Sequence, residues 1–185
     1  IPPLPGRRQG HELFAVTRPS IPLVEAYRSL RTVVLYNAAT AGRPEHLTNG
    51  HNPDRKVGAA QHADHESQVV LITSPGAGEG KTTTSAHLAA LLAEVGKTVL
   101  VVSADFRRPQ VHEYFGTPRE PGLSDVLTGQ SELSLGDLDM QTTVPGVRLL
   151  PSGSPVTNPA PFLRETAQLI AAARKVFDYV LIDTA

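Results

Sequence analysis

Gly80, Lys81 and Thr82 close the run SPGAGEGKTTT, Ser74 to Thr84, and these residue types in this order could hold the phosphates of a nucleotide. That chemistry needs backbone N–H groups curled around an anion, glycines where a side chain would block the approach, and a helix N-terminus aimed at the charge. Gly76, Gly78 and Gly80 supply backbone freedom, with Ala77 and Glu79 between them in the same loop. Lys81 would reach the β and γ phosphates, Thr82 would put its hydroxyl on Mg2+, and Thr83 would continue the helix start beside them. Pro75 stands where the pattern G-x-x-x-x-G-K-[ST] has its first glycine. Proline removes one N–H and fixes φ near about −65°, which is harmless where that position shapes the turn and donates nothing to phosphate.

Such a loop needs an acidic partner on another strand to hold the Mg2+ hydration shell. The stretch YVLIDTA offers Asp183 at the end of a buried strand, followed by Thr184 where many hydrolytic motors place a glutamate base. A second carboxylate, Asp105, ends the apolar run VLVVSAD and precedes FRRP. Parallel strands open toward the ligand crevice at their carboxyl ends, so Asp105 is expected near Lys81 and Asp183. There it could share the metal or accept a proton from an attacking hydroxyl, and Arg107 and Arg108 could pair with phosphate or with acidic neighbours. The plainer alternative is an aspartate that caps a turn beside two solvated arginines.

The elements that must position these residues are legible in outline. QVVLIT leads into the glycines as a strand; Leu88, Leu91, Leu92 and Val95 then mark a helix closed by Gly96. KTVLVVS, GVRLLPSG and DYVLID read as three more strands, and Pro159 to Lys175 as a helix with Leu163, Ala167, Ile170 and Ala171 inward. Strands apolar on both faces and separated by helices imply an α/β fold, a mostly parallel sheet with helices on both faces in three α/β/α layers. Val24, Tyr27, Leu30, Val34 and Leu35 recur at helical spacing and predict a further helix over 22–38, with Ser20 and Pro22 as start signals. Residues 1–21 are proline-rich and read as a linker; about 39–67 form a polar insertion without period that holds four of the seven histidines. Within it His62 and His65 flank Asp64 at a spacing that could touch one metal, as could His51, but no predicted element would hold them. His87 and His112 are expected at the surface, and Tyr27, Tyr36, Tyr114 and Tyr179 in packing.

The 185 residues suffice for one domain with a real core, and 40 % hydrophobic with 19 % charged content is ordinary for a globular protein. A net charge of −1 gives no pull toward nucleic acid, and without cysteine there is no disulfide, thiolate metal site or cysteine nucleophile. No apolar run approaches the about 18 residues that span a membrane. The chain begins at Ile1 without methionine and stops at Ala185 directly after a strand, so both ends are expected to be cut and the sheet incomplete at the C-terminus.

Taken together, SPGAGEGKTTT as Walker A, VVSADFRRP as Walker A′ with its D-x-R-x-P pattern, and VLIDTA as Walker B resemble the bacterial tyrosine kinases. These are P-loop autokinases that regulate capsule and exopolysaccharide synthesis. EAYRSLR, with Glu25, Arg28 and Arg31, is similar to the family's E-x-x-R-x-x-R motif, which contributes to the subunit contact of a ring-shaped oligomer. PSGSPVTNPAPFL resembles its proline and asparagine loop, and IPPLPGRR the segment after the second membrane span in members fused to a chain-length regulator. The resemblance covers the whole chain. It implies ATP and Mg2+ as cofactors, with Lys81 on the phosphates, Thr82 and Asp183 positioning the metal, and Asp105 helping the metal or serving as base for a tyrosine hydroxyl. It further implies residues 22–185 as part of the kinase domain and 1–21 as juxtamembrane, at the cytoplasmic side of the bacterial inner membrane. The implied partners are copies of itself, a transmembrane chain-length regulator and a cognate tyrosine phosphatase. The implied acceptor is a tyrosine-rich C-terminal tail beyond Ala185, so these residues alone are not expected to autophosphorylate. Two other classes share the sheet. One is the partitioning or division-site switch ATPases, which carry a signature lysine where Gly76 stands. The other is a nucleotide-binding regulatory module that assembles on a membrane partner.

Overall fold

The computed structural model describes residues 12–18, 21–40, 67–128, 140–156 and 163–185. Strands β1 (Gln68–Ile72), β2 (Val99–Ser103), β3 (Met140–Gln141), β4 (Val147–Leu150) and β5 (Tyr179–Asp183) form one sheet in the order β1-β5-β2-β4-β3. β1, β5, β2 and β4 are parallel, and β3 adds antiparallel to β4. In the register Asp183 lies beside Ile72 on one side and Ser103 on the other. Three strands therefore end flush, and the loops after β1 and β2 emerge on either side of the last residue of β5.

Alternation along the strands sorts the core into two layers. Val99, Val101, Leu149, Tyr179 and Leu181 face helix α3 (Lys81–Glu94), while Leu100, Val102, Leu150 and Val180 face α5 (Leu123–Leu127), Ala173 at the end of α6 (Leu163–Ala173), and Phe177. Helix α2 (Pro22–Thr40) covers the outer side of α3, and as a result all residues from Ser85 to Leu92 are buried. Each fully buried leucine there contributes about 1.5–3 kcal/mol, so α3 is held by packing on both sides more than by helix propensity. Pro22 opens α2, where its missing N–H has no partner to lose, and the helix continues past the expected residue 38 to Thr40.

Several expectations are corrected. Part of the segment read as linker is docked: Phe14–Thr17 form a short helix, α1, with Leu13 and Ala15 buried against the α3 layer. Leu13, Phe14 and Ala15 supply the apolar surface, a run too short to show a period. At the edges of the expected insertion Ala39 and Thr40 finish α2 and Ser67 is buried at the foot of β1; residues 41–66, including His46, His51, His62 and His65, lie outside the described residues. β1 is an edge strand with Val69 and Leu71 exposed, so among the described residues the sheet is not covered on both faces there. β3, α4 (Val111–Phe115) and α5 carry no run long enough to be read from pattern.

The inward face of α6 is also rotated from the expected one. Leu169 and Ala173 pack on the core while Ala167 and Ala171 are exposed. A helix rich in alanine states its phase weakly, and Phe177 beyond its end decides which side is buried. Tyr27 and Tyr179 are buried as expected, but Tyr36 is exposed on α2 and His87, expected at the surface, is completely buried. No helix of the described residues is long and apolar enough to cross a membrane.

Candidate nucleotide site

β1 leads into the loop Ser74–Gly80, and α3 starts at its end. Gly80 caps α3 at φ +92°, a left-handed conformation that glycine adopts without strain, and this turn brings the first free N–H groups of the helix round to the loop. Lys81 reaches back over the loop, its Nζ donating to Ser74 Oγ at 3.0 Å and to the Gly76 carbonyl at 3.1 Å. Gly76 N–H donates to Glu79 Oε2 at 3.1 Å, so one amide of the loop is held by the loop's own carboxylate. Pro75, preceding it, shapes the turn and has no N–H to leave unpaired.

Beneath the loop, Thr82 Oγ1 donates to Asp183 Oδ2 at 3.0 Å and Ser85 Oγ to Asp183 Oδ1 at 2.9 Å. Thr82 and Ser85 are three apart on one helix face, the face α3 turns toward the end of β5. Asp183 is fully buried, and burial pushes its carboxyl above the ordinary carboxylate range. The Ser85 and Thr82 hydrogen bonds pull it back, the Asp105 charge raises it and Lys81 lowers it.

Asp105 combines both readings of the sequence. Its Oδ1 accepts the N–H groups of Arg107 and Arg108, each at 3.0 Å, which caps the turn after β2, while the residue lines the same cavity as the loop. That cavity, of about 660 Å³, is bounded by Ser74 to Gly78, Gly80 to Thr83, Asp105, Arg107, Arg108, Gln110, Tyr114 and Ala185. Arg107 and Arg108 are exposed at its rim. The sequence picks out neither Ser74 nor Ser85, and it places Tyr114 in packing alone. Spacing could have found Ser85, one turn after Lys81, whereas Tyr114 arrives through α4 and hydrogen-bonds Thr83 Oγ1 at 2.8 Å.

Glu25, Arg28 and Arg31 lie elsewhere. Tyr27 stacks on His87 and Arg31 donates to the Leu91 carbonyl (3.2 Å) and to Glu94 Oε2 (2.7 Å), so α2 and α3 ascend side by side. Arg28 pairs with Glu25 and, at 3.6 Å, with Glu94. This charged cluster sits at the far end of α3, about 20 Å from Lys81 at 1.5 Å per residue.

The polar side chains around Lys81 fit a nucleotide with a hard cation. Thr82, Asp183 and Asp105 offer only oxygen, in the small number that Mg2+ takes from protein when water and phosphate complete its shell. Among the described residues no three His, Cys, Asp or Glu side chains group into a metal cage.

Comparison with known proteins agrees with this geometry. The family described as the CobQ/CobB/MinD/ParA nucleotide binding domain matches residues 70–151. The chain is 33 % identical over 180 residues to the putative tyrosine-protein kinase EpsB of Ralstonia solanacearum, across 96 % of this chain and 20 % of that protein. It is 37 % identical over 127 residues to the tyrosine-protein kinase CpsD of Streptococcus agalactiae, across 67 % of this chain and 55 % of that one. Among solved structures, the BceF tyrosine kinase domain superposes with a TM-score of 0.72 at 32 % identity, across 94 % of this chain and 60 % of that one. The septum site-determining protein MinD of Pyrococcus horikoshii, solved with Mg-ADP, is more distant, with a TM-score of 0.55 over 63 % of this chain and 48 % of that one. The chain thus spans about a fifth of the EpsB relative and little more than half of CpsD. The loop, its two aspartates and these matches together place the chain in the bacterial tyrosine kinase family.

Proposed function

We propose that this chain binds ATP with Mg2+ and forms the nucleotide-binding part of a protein-tyrosine autokinase of exopolysaccharide or capsule synthesis. The observation that carries the reading is one cavity lined by Lys81, Thr82 and a carboxylate, Asp105, with the buried Asp183 held behind it by Thr82 and Ser85. Thr184, at the position after Asp183, spends its hydroxyl on the Ile72 carbonyl at 2.9 Å and so binds β5 to β1 instead of orienting a water.

In this reading the free N–H groups of the loop and the start of α3 bind phosphate oxygens. Lys81 leaves Ser74 and Gly76 for the β and γ phosphates. Thr82 and Asp183 hold Mg2+, which when bound neutralises charge on the phosphates. Asp105, with Oδ1 fixed by two amides, keeps Oδ2 for the metal's water shell or for the phenol proton. The acceptor oxygen bonds to the γ phosphorus as the bond from that phosphorus to the β–γ bridging oxygen breaks. ADP leaves with that electron pair, and the phenol proton passes to a carboxylate or to water. Arg107 and Arg108, exposed at the rim, steer the triphosphate or pair with the acceptor segment.

The wider setting rests on likeness to the family. It comprises a kinase domain that takes in the docked residues 12–18, with a juxtamembrane segment before them, at the cytoplasmic face of the inner membrane. It also comprises a ring-like homo-oligomer through Glu25, Arg28 and Arg31, a transmembrane chain-length regulator and a cognate tyrosine phosphatase. The test is phosphotyrosine formation by the full-length parent chain with ATP and Mg2+, lost in Lys81→Met and Asp105→Ala. Label absent from tyrosine in the unaltered chain would overturn the reading.

A further inference from the structure

His87 is the one fully buried imidazole among the described residues, and both its nitrogens are committed. Nδ1 lies 2.8 Å from the Thr83 carbonyl, which can only accept, so Nδ1 carries the proton. Nε2 is therefore bare, and it accepts the backbone N–H of Phe14 at 3.1 Å, a donor that also leans on the Glu12 carbonyl at 3.1 Å. Around the ring, Tyr27 of α2 stacks at 4.8 Å, Phe14 of α1 tilts at 5.8 Å and Tyr114 of α4 meets it edge-on at 6.3 Å. Tyr27 and Tyr114 are the titratable groups facing it; on the docked segment Glu12 and Arg18 pair with each other at 3.3 Å.

This side chain hydrogen-bonds on both sides, to the docked segment and to the start of the nucleotide helix. On one side is the segment Glu12–Arg18, whose four-residue helix cannot hold itself together without docking. On the other is Thr83 in the first turn of the nucleotide helix, whose hydroxyl holds Tyr114 at the cavity wall. We infer that His87 is a positioning residue that couples docking of residues 12–18 to nucleotide binding, each favouring the other. The inference rests on the nucleotide-binding reading above and adds to it the segment that the site communicates with. Linkage makes the effect reciprocal: if docking tightens nucleotide binding, nucleotide must tighten docking by the same factor. A second proton on the ring would turn Nε2 from acceptor to donor against the Phe14 N–H and release the clip. Burial, opposed in part by the Thr83 carbonyl, pushes the imidazole below its ordinary value and keeps it neutral at physiological pH.

The experiment uses the full-length chain with Mg-ADP as probe, following amide-exchange protection at Phe14 and ADP affinity at pH 7.5. It compares the unaltered chain with His87→Gln, whose amide oxygen can accept the Phe14 N–H, and with His87→Leu, which lacks the clip. Mg-ADP is expected to raise Phe14 protection by about fivefold or more. His87→Gln should keep this gain and the ADP affinity, and His87→Leu should lose both together. ADP binding with no change at Phe14, or a gain in His87→Leu equal to that of the unaltered chain, would overturn the coupling. A chain that binds no ADP would instead overturn the nucleotide reading, and the coupling with it.

Discussion

Ser85 Oγ donates to Oδ1 of Asp183 at 2.9 Å, from one turn inside the helix that the phosphate loop starts. Thr82 holds the other oxygen of the same carboxylate. The metal-binding group proposed here is thus oriented by two hydroxyls of α3 before any ligand arrives, and it is buried at some cost to its charged form.

Removing one of those hydroxyls should matter. A hydrogen bond to a charged group contributes about 1.5–3 kcal/mol, and metal binding will recover part of the loss. Ser85→Ala is expected to weaken Mg2+-dependent ADP binding about tenfold and to move its acid limb to higher pH, because the carboxyl loses a donor that lowers its pKa. Mg2+ titrations of ADP binding between pH 5 and 8 measure both effects.

Asp183 should also show a conflict between function and stability. Its carboxyl is held above the ordinary 3.8 in the folded chain, so over the interval between that value and the raised one the folded state binds more protons than the unfolded state. Its contribution to stability is therefore fully present at low pH and is lost as pH rises through the raised value. At neutral pH Asp183→Asn is expected to stabilise the nucleotide-free chain, raising Tm by about 2–4 °C for each kcal/mol of relieved charge burial, while abolishing Mg2+-dependent binding. Calorimetry at pH 7.5 and near 4.5 should show the gain shrinking with acid.

The arginines of the EAYRSLR motif should separate. Arg31 ties α2 to the last turn of α3 through the Leu91 carbonyl and Glu94, and Arg31→Ala is expected to cost about 1–2 kcal/mol of stability within one subunit. Arg28 is held by the exposed Glu25 and a longer contact to Glu94, so Arg28→Ala should leave the urea midpoint unchanged. If the motif also joins subunits, sedimentation of Arg28→Ala will report assembly without a folding defect, which a variant lacking both Arg28 and Arg31 cannot do.

Glu79 holds the Gly76 amide that an anion would use. Its contact is exposed and therefore weak, so Glu79→Ala should tighten ADP binding only about two- to threefold, with no change in melting of the nucleotide-free chain. Calorimetric titration with ADP checks this.

Much of the site could be read from the sequence because its parts are local. A strand, a glycine loop and Lys-Thr at a helix start are contiguous, and Asp105 and Asp183 each close an apolar run whose parallel pairing sends them to one edge. What could not be read depends on contacts between distant segments. His87 has the composition of a surface residue on a helix, and only the covering of α3 by α2 and by residues 12–18 makes its site a core position. A helix buried on every side has no polar face from which to infer orientation. Ser85 is a small polar residue within that helix, and its role exists only because β5 ends beside it. The dual use of Asp105, turn cap and cavity wall, follows from a backbone turn that its spacing does not encode.

The most direct measurement is the fate of the γ phosphate in the full-length chain. Phosphotyrosine formed and inorganic phosphate released are counted against ATP consumed over the first turnovers, with Lys81→Met as the blank. The account predicts that most of the early phosphate is found on tyrosine and that Asp105→Ala removes this transfer. Phosphate released to water at the full rate of ATP consumption, with none on tyrosine, would contradict it and assign the chain to the switch ATPases that share its sheet.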